Sequence, residues 1–191
     1  MAAPGPSRQA DDTRADWETP AALYDQLNRE FHFNYDGAAN EINHKCDLWF
    51  GPGGCFEDAF QADPIGDVVW CNPPYGKREN VCDPDKCKRE TCRKRGSHCT
   101  EFKPGVEDWV ELLSLWHSYG NTVVACLPDG TDTDWFKQAY DTCSEVRILS
   151  GRVPFVGTTS GNTGGTIIVI WRQGPKTPAP YMWLWDWRKG V

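Results

Sequence analysis

Residues 68–75 read Val-Val-Trp-Cys-Asn-Pro-Pro-Tyr, an apolar run that passes directly into a turn with two prolines. A short apolar run rich in β-branched and aromatic residues and closed by a turn signal is typical of a buried strand. Proline fixes φ at about −65° and keeps the preceding residue extended, so Asn72 is expected to project from the strand end in one orientation. The stretch therefore predicts a strand at residues 68–71 with a rigid polar turn at its carboxyl end.

Helix and strand patterns alternate on both sides of this stretch. The apolar spacing predicts helices at residues 19–31, 109–116 and 134–140 and strands at residues 31–35, 121–127, 146–149 and 166–171. Thr19 is the predicted cap of the first helix and Pro20 its first residue, and residues 175–191 are interpreted as an edge strand or an interface. This alternation predicts an α/β fold, in which helices cover both faces of a mostly parallel sheet. Ligands bind beyond the carboxyl ends of such strands, where Asp36 and Asn72 are expected.

The length and charge of the chain limit its organisation and its partners. Its 191 residues, 39% of them hydrophobic, suffice for one domain with a sizeable core but not comfortably for two. Residues 1–15 lack periodicity and are predicted to be a disordered tail, which leaves residues 16–191 as one domain. With no apolar run that could span a bilayer and no secretion signal, we expect a cytoplasmic protein without membrane contact. A net charge of −7 disfavours nucleic-acid binding by the whole surface, so any such contact has to be local.

The turn Asn72-Pro73-Pro74-Tyr75 carries groups that can activate an amino nitrogen attached to an aromatic ring. Such a nitrogen is a poor nucleophile because its lone pair is delocalised into the ring. The side-chain oxygen of Asn72 and the carbonyl of Pro73 can each accept one amino hydrogen, which localises the lone pair and stabilises developing positive charge. The ring of Tyr75 offers a stacking surface. The alternative is a Pro-Pro turn that only ends a strand.

Several segments resemble, in order and spacing, the phage-type DNA N-6-adenine methyltransferase (Dam) family. They are residues 16–20 (Asp-Trp-Glu-Thr-Pro), 34–39 (Asn-Tyr-Asp-Gly-Ala-Ala), Asn43, 58–59 (Asp-Ala), 72–76 (Asn-Pro-Pro-Tyr-Gly) and, more loosely, 151–155 and the final strand. The resemblance implies a Rossmann-like methyltransferase fold that binds S-adenosylmethionine and methylates the exocyclic N6 of adenine in DNA. Because that amine is inaccessible inside a duplex, the base would be flipped out. A phage-encoded enzyme would act in the cytoplasm of its bacterial host.

The same resemblance implies roles for individual residues. It places Thr19, Pro20 and Asp36 near the methionine part of the cofactor, Asp58 near its adenine or ribose, and Trp17, Gly37 and Ala38 among the cofactor-binding residues. It makes Asn72, Pro73, Pro74 and Tyr75 the catalytic turn, with Tyr75 and Phe155 as stacking faces for the target base. The structural alternatives are turn caps or solvated side chains for Asp36 and Asp58 and an ordinary core position for Trp17. The segment at Gly37 has one glycine where many enzymes that use this cofactor have two or three.

Nine cysteines in a chain without a secretion signal favour metal binding or burial over disulfides. A polar segment, residues 77–104, contains five soft or borderline ligands: Cys82, Cys87, Cys92, His98 and Cys99. Four of the five could hold a structural zinc ion that folds this segment, which we predict to be a zinc-binding insertion; reduced, solvated thiols are the alternative. Lys94, Arg95 and neighbouring cations form a positive patch, interpreted as a metal-folded DNA clamp or as a solvated charged loop.

Two other functions are consistent with the sequence. The same turn occurs in enzymes that methylate other amino or amide nitrogens, so cytosine N4, an RNA base or a protein glutamine is an alternative substrate. A non-enzymatic, zinc-containing module that binds nucleic acid is the second alternative. It predicts nucleic-acid binding without S-adenosylmethionine and no effect of the substitution Asn72→Ala on that binding.

Overall fold

The computed structural model describes residues 17–156, 164–175 and 177–189. The disordered tail predicted for residues 1–15 lies outside the described residues. The helices are α1 (Ala21–Phe31), α2 (Glu90–Arg95), α3 (Val106–Ser118) and α4 (Asp134–Thr142), with short 3-10 helices at Ala59–Gln61 and Trp187–Lys189. The strands are β1 (Tyr35–Asp36), β2 (Leu48–Trp49), β3 (Val68–Cys71), β4 (Thr122–Pro128), β5 (Glu145–Leu149), β6 (Thr166–Trp171) and β7 (Tyr181–Trp185).

The seven strands form one sheet in the order β2-β1-β3-β4-β6-β5-β7. Strand β6 runs antiparallel to both of its neighbours, and every other pair of adjacent strands is parallel. The mostly parallel sheet predicted from the sequence is therefore confirmed. From β1 the chain passes to β2 on one side and then to β3 on the other, which opens a crevice at the carboxyl ends of β1 and β3. Asp36 and Trp70 are paired across these two strands, so Asp36 and Asn72 emerge at the same edge.

Two apolar clusters cover the two faces of the sheet. Successive residues of a strand point to opposite faces, so Val69 and Cys71 pack on one side of β3 and Trp70 on the other. Helices α3 and α4 cover the first face, whereas α1 and the C-terminal 3-10 helix cover the second. The prediction of helices on both faces is confirmed. None of the helices in the described ranges is long and apolar enough to cross a membrane.

The first predicted helix and strand differ from the structure at their ends. Pro20 is the N-cap of α1 rather than its first residue, and no side chain caps the helix, so the cap predicted at Thr19 is wrong. Phe31 ends α1 and His32 takes a left-handed conformation, which shortens the predicted strand at residues 31–35 to the two residues of β1. The error in the strand has a physical reason: Phe31 fits both the helical and the alternating pattern, and in the structure it is buried in the core as the last residue of α1.

Candidate active site and cysteine cluster

Asp36, the last residue of β1, places a buried carboxylate in the crevice. Its side chain is 3% exposed, and its two oxygens accept hydrogen bonds from the backbone N–H groups of Ala38 at 3.3 Å and Lys45 at 3.0 Å. Burial raises the pKa of Asp36 to about 6, while these two hydrogen bonds and the charges of Lys45 and His44 oppose the rise. Asp36 is therefore a carboxylate that changes its charge close to neutral pH.

The side chain of Asn72 is fixed at both ends. Its Nδ2 donates to the backbone carbonyl of Trp17 at 2.8 Å, and its Oδ1 accepts from the Tyr75 hydroxyl at 3.0 Å. The same hydroxyl lies 3.0 Å from the carbonyl of Cys126, so its one hydrogen is shared between two acceptors. Burial raises the pKa of Tyr75 well above its usual range, which keeps this hydroxyl a donor. A carbonyl oxygen has two lone pairs, so Asn72 Oδ1 retains one for a further donor.

An aromatic stack lies against the turn. Trp17 stacks on Phe155 with 5.7 Å between ring centroids, and Tyr75 contacts the same ring edge-on at 6.1 Å. Glu18 and Val156 exchange two backbone hydrogen bonds, which hold the segments of Trp17 and Phe155 together. Phe155 is 3% exposed, so in this structure its ring packs between Trp17 and Tyr75.

Two adjoining cavities open at this edge of the sheet and share Ala38 and Asn43 as lining residues. The smaller is a narrow polar cleft in which Trp17, Thr19, Asp36 and Asn72 meet. The larger has a volume of about 500 Å³, within the range of small-molecule sites in proteins. Its walls are mainly apolar and include Phe50, Asp58, Phe60, Pro74, Phe102 and Trp109. Together the cavities form an elongated site with a polar end at Asp36 and an apolar end at Trp109.

Thr19 supplies an unsatisfied polar atom at the polar end of this site. Its side chain is 2% exposed, and its hydroxyl has no hydrogen-bond partner among the described residues. Buried hydroxyl groups are almost always hydrogen-bonded, because leaving one without a partner costs about 1–3 kcal/mol. A ligand with a polar group at this position would satisfy it.

The residues predicted from the sequence divide into those that reach the cavities and those that do not. Trp17, Thr19, Asp36, Ala38, Asp58, Asn72 and Pro74 line one or both cavities. Asp58 also caps the 3-10 helix at Ala59–Gln61 by accepting from Phe60 N–H at 2.9 Å. The predicted cofactor-binding, turn and stacking residues that line neither cavity are Pro20, Gly37, Pro73, Tyr75 and Phe155. A Cβ on Gly37 would lie 2.9 Å from the Trp116 ring and 3.2 Å from the Trp70 carbonyl, so this glycine serves close packing.

The larger cavity contains residues that the sequence analysis did not single out, among them Phe50, Gly51, Glu57, Phe60, Phe102 and Trp109. The one available signal was the glycine-rich run that begins at Gly51, two residues after the end of β2. Gly51 has φ of 133°, and a Cβ there would lie 2.0 Å from the Ala39 carbonyl, so only glycine allows these two segments to approach. The remaining wall is assembled by side chains far apart in sequence.

Four of the five predicted metal ligands converge within the insertion. The ligand atoms of Cys82, Cys87, Cys92 and His98 all lie within 4.8 Å of one another. The Sγ of Cys82 is 3.8 Å from the Sγ of Cys92 and 3.6 Å from Nδ1 of His98. Cys99 stands outside this cluster, since its Sγ donates to Glu79 at 3.3 Å and accepts from Arg95 at 2.9 Å. The structure thus favours His98 over Cys99 as the fourth ligand.

The insertion closes on itself at its base and borders the larger cavity. Glu79 and Lys103 exchange two backbone hydrogen bonds of 2.9 Å, and Cys82 N–H donates to the Cys99 carbonyl at 3.0 Å. Phe102 and Pro104, at the end of the insertion, line the same cavity as Pro74 of the turn. Of the two cations predicted to contact substrate, Lys94 pairs with Glu90 and Arg95 with Glu79.

The fold and the crevice together define a class of protein. A seven-stranded sheet with one antiparallel strand, helices on both faces and a polar cleft between the first strand and an Asn-Pro-Pro-Tyr turn is that of a methyltransferase. The chain belongs to the DNA N-6-adenine-methyltransferase (Dam) family, whose sequence model matches residues 6–184. Membership implies an enzyme that methylates adenine in DNA, with DNA as its substrate. No curated protein matched the chain in a sequence comparison.

Proposed function

We propose that this protein transfers the methyl group of S-adenosylmethionine to the exocyclic N6 of adenine in DNA and that residues 72–75 form the catalytic turn. One observation carries this proposal: Asn72 and the buried Asp36 line the same polar cleft, and hydrogen bonds hold both polar atoms of the Asn72 side chain. A family match over residues 6–184 independently supports adenine N6 as the acceptor.

The cavities contain groups that fit S-adenosylmethionine. Asp36 would accept from the ammonium group of the cofactor, and the unpartnered hydroxyl of Thr19 would bind its methionine part. Asp58 and the aromatic walls of the larger cavity would hold its adenosine. When bound, the cofactor would supply an electrophilic methyl group: the bond from carbon to sulfur breaks to leave a neutral thioether, the bond from N6 to carbon forms, and N6 releases one proton to water.

Asn72 and Pro73 activate the amine. The free lone pair of Asn72 Oδ1 and the backbone carbonyl of Pro73 accept the two amino hydrogens, which draws the nitrogen lone pair out of conjugation. Tyr75 is a positioning residue in this step, because its hydroxyl holds Asn72 Oδ1 in place. Since these acceptors are fixed before substrate arrives, little reorganisation is needed when positive charge develops on N6.

Access to N6 requires the adenine to leave the duplex. Unstacking and unpairing cost roughly a few kcal/mol, which stacking and hydrogen bonds in the pocket offset. The half-buried ring of Tyr75 is the candidate stacking face. Phe155 is buried against Trp17 and would contact the base only if the ring of Trp17 moved.

One structural Zn²⁺, held by Cys82, Cys87, Cys92 and His98, folds residues 77–104 as an insertion in a methyltransferase domain of residues 16–191. Tetrahedral zinc has Zn–S distances of about 2.3 Å and Zn–N distances of about 2.0–2.1 Å, which place two sulfur ligands about 3.8 Å apart and a sulfur and a nitrogen about 3.5–3.6 Å apart. The distances in the cluster, 3.8 Å and 3.6 Å, support this geometry.

The reaction is tested by incubating the purified chain with S-adenosylmethionine and unmethylated duplex DNA and analysing the digested nucleosides by mass spectrometry. We expect N6-methyladenine. Methylated cytosine, or methylation only of RNA or of protein glutamine, would contradict the choice of substrate. DNA binding with no methylated product from any of these would favour the non-enzymatic module.

Cofactor affinity should fall as Asp36 takes up a proton. Because its pKa is raised to about 6, Asp36 is largely ionised at pH 7 and largely neutral at pH 5, where the ion pair with the cofactor ammonium is lost. We expect the dissociation constant for S-adenosylmethionine, measured by calorimetry, to rise about tenfold from pH 7 to pH 5.

The substitution Asp36→Asn identifies the group responsible. It should weaken binding at pH 7 and flatten the profile between pH 5 and pH 7. The charged neighbours of Asp36 are Lys45, His44 and, through Lys45, Glu18. If Asp36→Asn keeps the full pH dependence, one of these neighbours controls cofactor affinity instead.

A further inference from the structure

Positive charge is concentrated in the insertion. Residues 77–104 contain nine basic and five acidic residues, a net charge of +4. The other residues contain eleven basic and twenty-two acidic ones, a net charge of −11, and the two values sum to the −7 of the whole chain. Three thiolates and one Zn²⁺ would together contribute −1, so the metal-bound insertion keeps a net charge of +3.

Several cations of the insertion are already engaged. Lys86 pairs with Asp83, Lys94 with Glu90, and Arg95 with Glu79, while Arg78 pairs with Asp108 of α3. Within the described part of the chain, five exposed cations of the insertion form no ion pair within 4.0 Å: Lys77, Lys88, Arg89, Arg93 and Lys103. The guanidinium group of Arg89 donates a hydrogen bond to the backbone carbonyl of Asn80 at 2.7 Å. These side chains are available to an external anion.

Two of them lie next to members of the cysteine cluster. Lys88 directly follows Cys87, and Arg93 directly follows Cys92, so each exposed cation is next to a residue of the converging ligand set. A short polar segment has too little apolar area to hold such side chains in place by itself. Bound metal would therefore set the spacing of Lys88 and Arg93.

The insertion also lies beside the catalytic turn. It begins two residues after Tyr75, and Val106 N–H, just beyond its end, donates to the Gly76 carbonyl at 3.3 Å. Phe102 and Pro104 share the larger cavity with Pro74. DNA whose target base reaches the turn would have its backbone within reach of this segment, while the acidic remainder of the domain would repel it.

We propose that the metal-folded insertion is the surface that binds the phosphate backbone of DNA next to the flipped adenine, with Lys88 and Arg93 each contacting a phosphate. This inference rests on the proposed function, in which DNA is the substrate. It adds which surface of the protein contacts the DNA and that this contact depends on bound metal. The sequence had pointed to Lys94 and Arg95 as the cations that contact DNA, but both form ion pairs with glutamates. Lys88 and Arg93 have no acidic partner within 4.0 Å among the described residues.

The test compares the metal-loaded full chain with the double variant Lys88→Gln/Arg93→Gln. The affinity for a short fluorescent DNA duplex is measured by anisotropy at several salt concentrations. Each lost phosphate contact reduces the salt slope by about 0.9, so we expect the slope to fall by about 2 and the dissociation constant at low salt to rise about tenfold or more. Affinity for S-adenosylmethionine should be unchanged, since neither residue lines a cavity.

The double variant Arg29→Gln/Lys137→Gln is the matched control. It removes two exposed cations from α1 and α4, and we expect it to bind DNA within about twofold of the unaltered chain. Equal losses in both variants would show an effect of total charge and overturn the inference. If Lys88→Gln/Arg93→Gln binds DNA as tightly as the unaltered chain, the inference is also overturned, whether or not the variant self-associates differently. Methylation of DNA by the unaltered chain would then leave the proposed function standing, whereas no binding of DNA by that chain would refute both.

Discussion

Asn72→Ala should lower the rate of methyl transfer at saturating cofactor and DNA by about a hundredfold or more. The substitution removes one of the two acceptors that localise the lone pair of the amine, and losses of one comparable electrostatic group reduce turnover by about 10²–10³. Because the lost interaction strengthens only as charge develops on N6, kcat should fall and KM should change little. Single-turnover methylation of a duplex, followed by mass spectrometry, gives the rate.

Two measurements separate a catalytic role of Asn72 from a structural one. Its Nδ2 also donates to the Trp17 carbonyl, so the affinity for S-adenosylmethionine and the thermal unfolding of Asn72→Ala must be measured alongside the rate. The matched control is Asn80→Ala, an exposed asparagine of the insertion, whose rate should remain close to that of the unaltered chain. Near-normal turnover of Asn72→Ala would contradict the assignment of the turn.

Cys87→Ser should abolish the binding of one zinc ion per chain, whereas Cys99→Ser should leave it intact. Cys87 is a member of the cluster of four ligand atoms within 4.8 Å, but Cys99 is hydrogen-bonded to Glu79 and Arg95 outside it. A hydroxyl is a poor replacement for a thiolate on zinc, so we expect affinity to fall by at least about a hundredfold. Elemental analysis and competition with a chromogenic chelator measure stoichiometry and affinity.

The order of the insertion should follow the metal. Removing zinc with a strong chelator should speed the hydrogen exchange of the amides of Cys82 and Lys103, whose hydrogen bonds close the insertion, and should leave the exchange of β3 unchanged. A metal-free protein with unchanged exchange and activity would contradict the zinc site. Loss of zinc in Cys99→Ser with retention in Cys87→Ser would instead show that the ligand set is wrong.

The sheet was predictable because its central strands are continuous apolar runs. The bounds predicted for β3 and β6 agree with the structure, since each run is closed by residues that cannot continue a buried strand. The tail interpreted as an edge strand or an interface contains β7, which pairs with β5 at the end of the sheet. Strand β2 was missed because two residues, Leu48 and Trp49, are too short for any periodic pattern.

The site was only partly predictable. The sequence indicates a strand end at Asp36 and another just before Asn72, and parallel strands bring their carboxyl ends together. Chain order alone does not show that Trp17 binds Asn72 through its backbone carbonyl or that Phe155 is buried beneath Trp17. Spacing in the sequence could not decide between His98 and Cys99, because the two residues are neighbours. The choice depended on which side chain converges with the three other ligands in the structure.

If the insertion binds the DNA backbone as proposed, the unequal charges of the insertion and of the rest of the domain would also affect how fast the protein meets DNA. A duplex that approached the acidic remainder of the domain would be repelled, so productive collisions would begin at the positive insertion, and the molecule would be oriented before contact. Added salt would weaken this guidance and slow association. On the same basis, this repulsion would oppose prolonged sliding along the duplex and would favour dissociation after each methyl transfer, which is a distributive mode of modification.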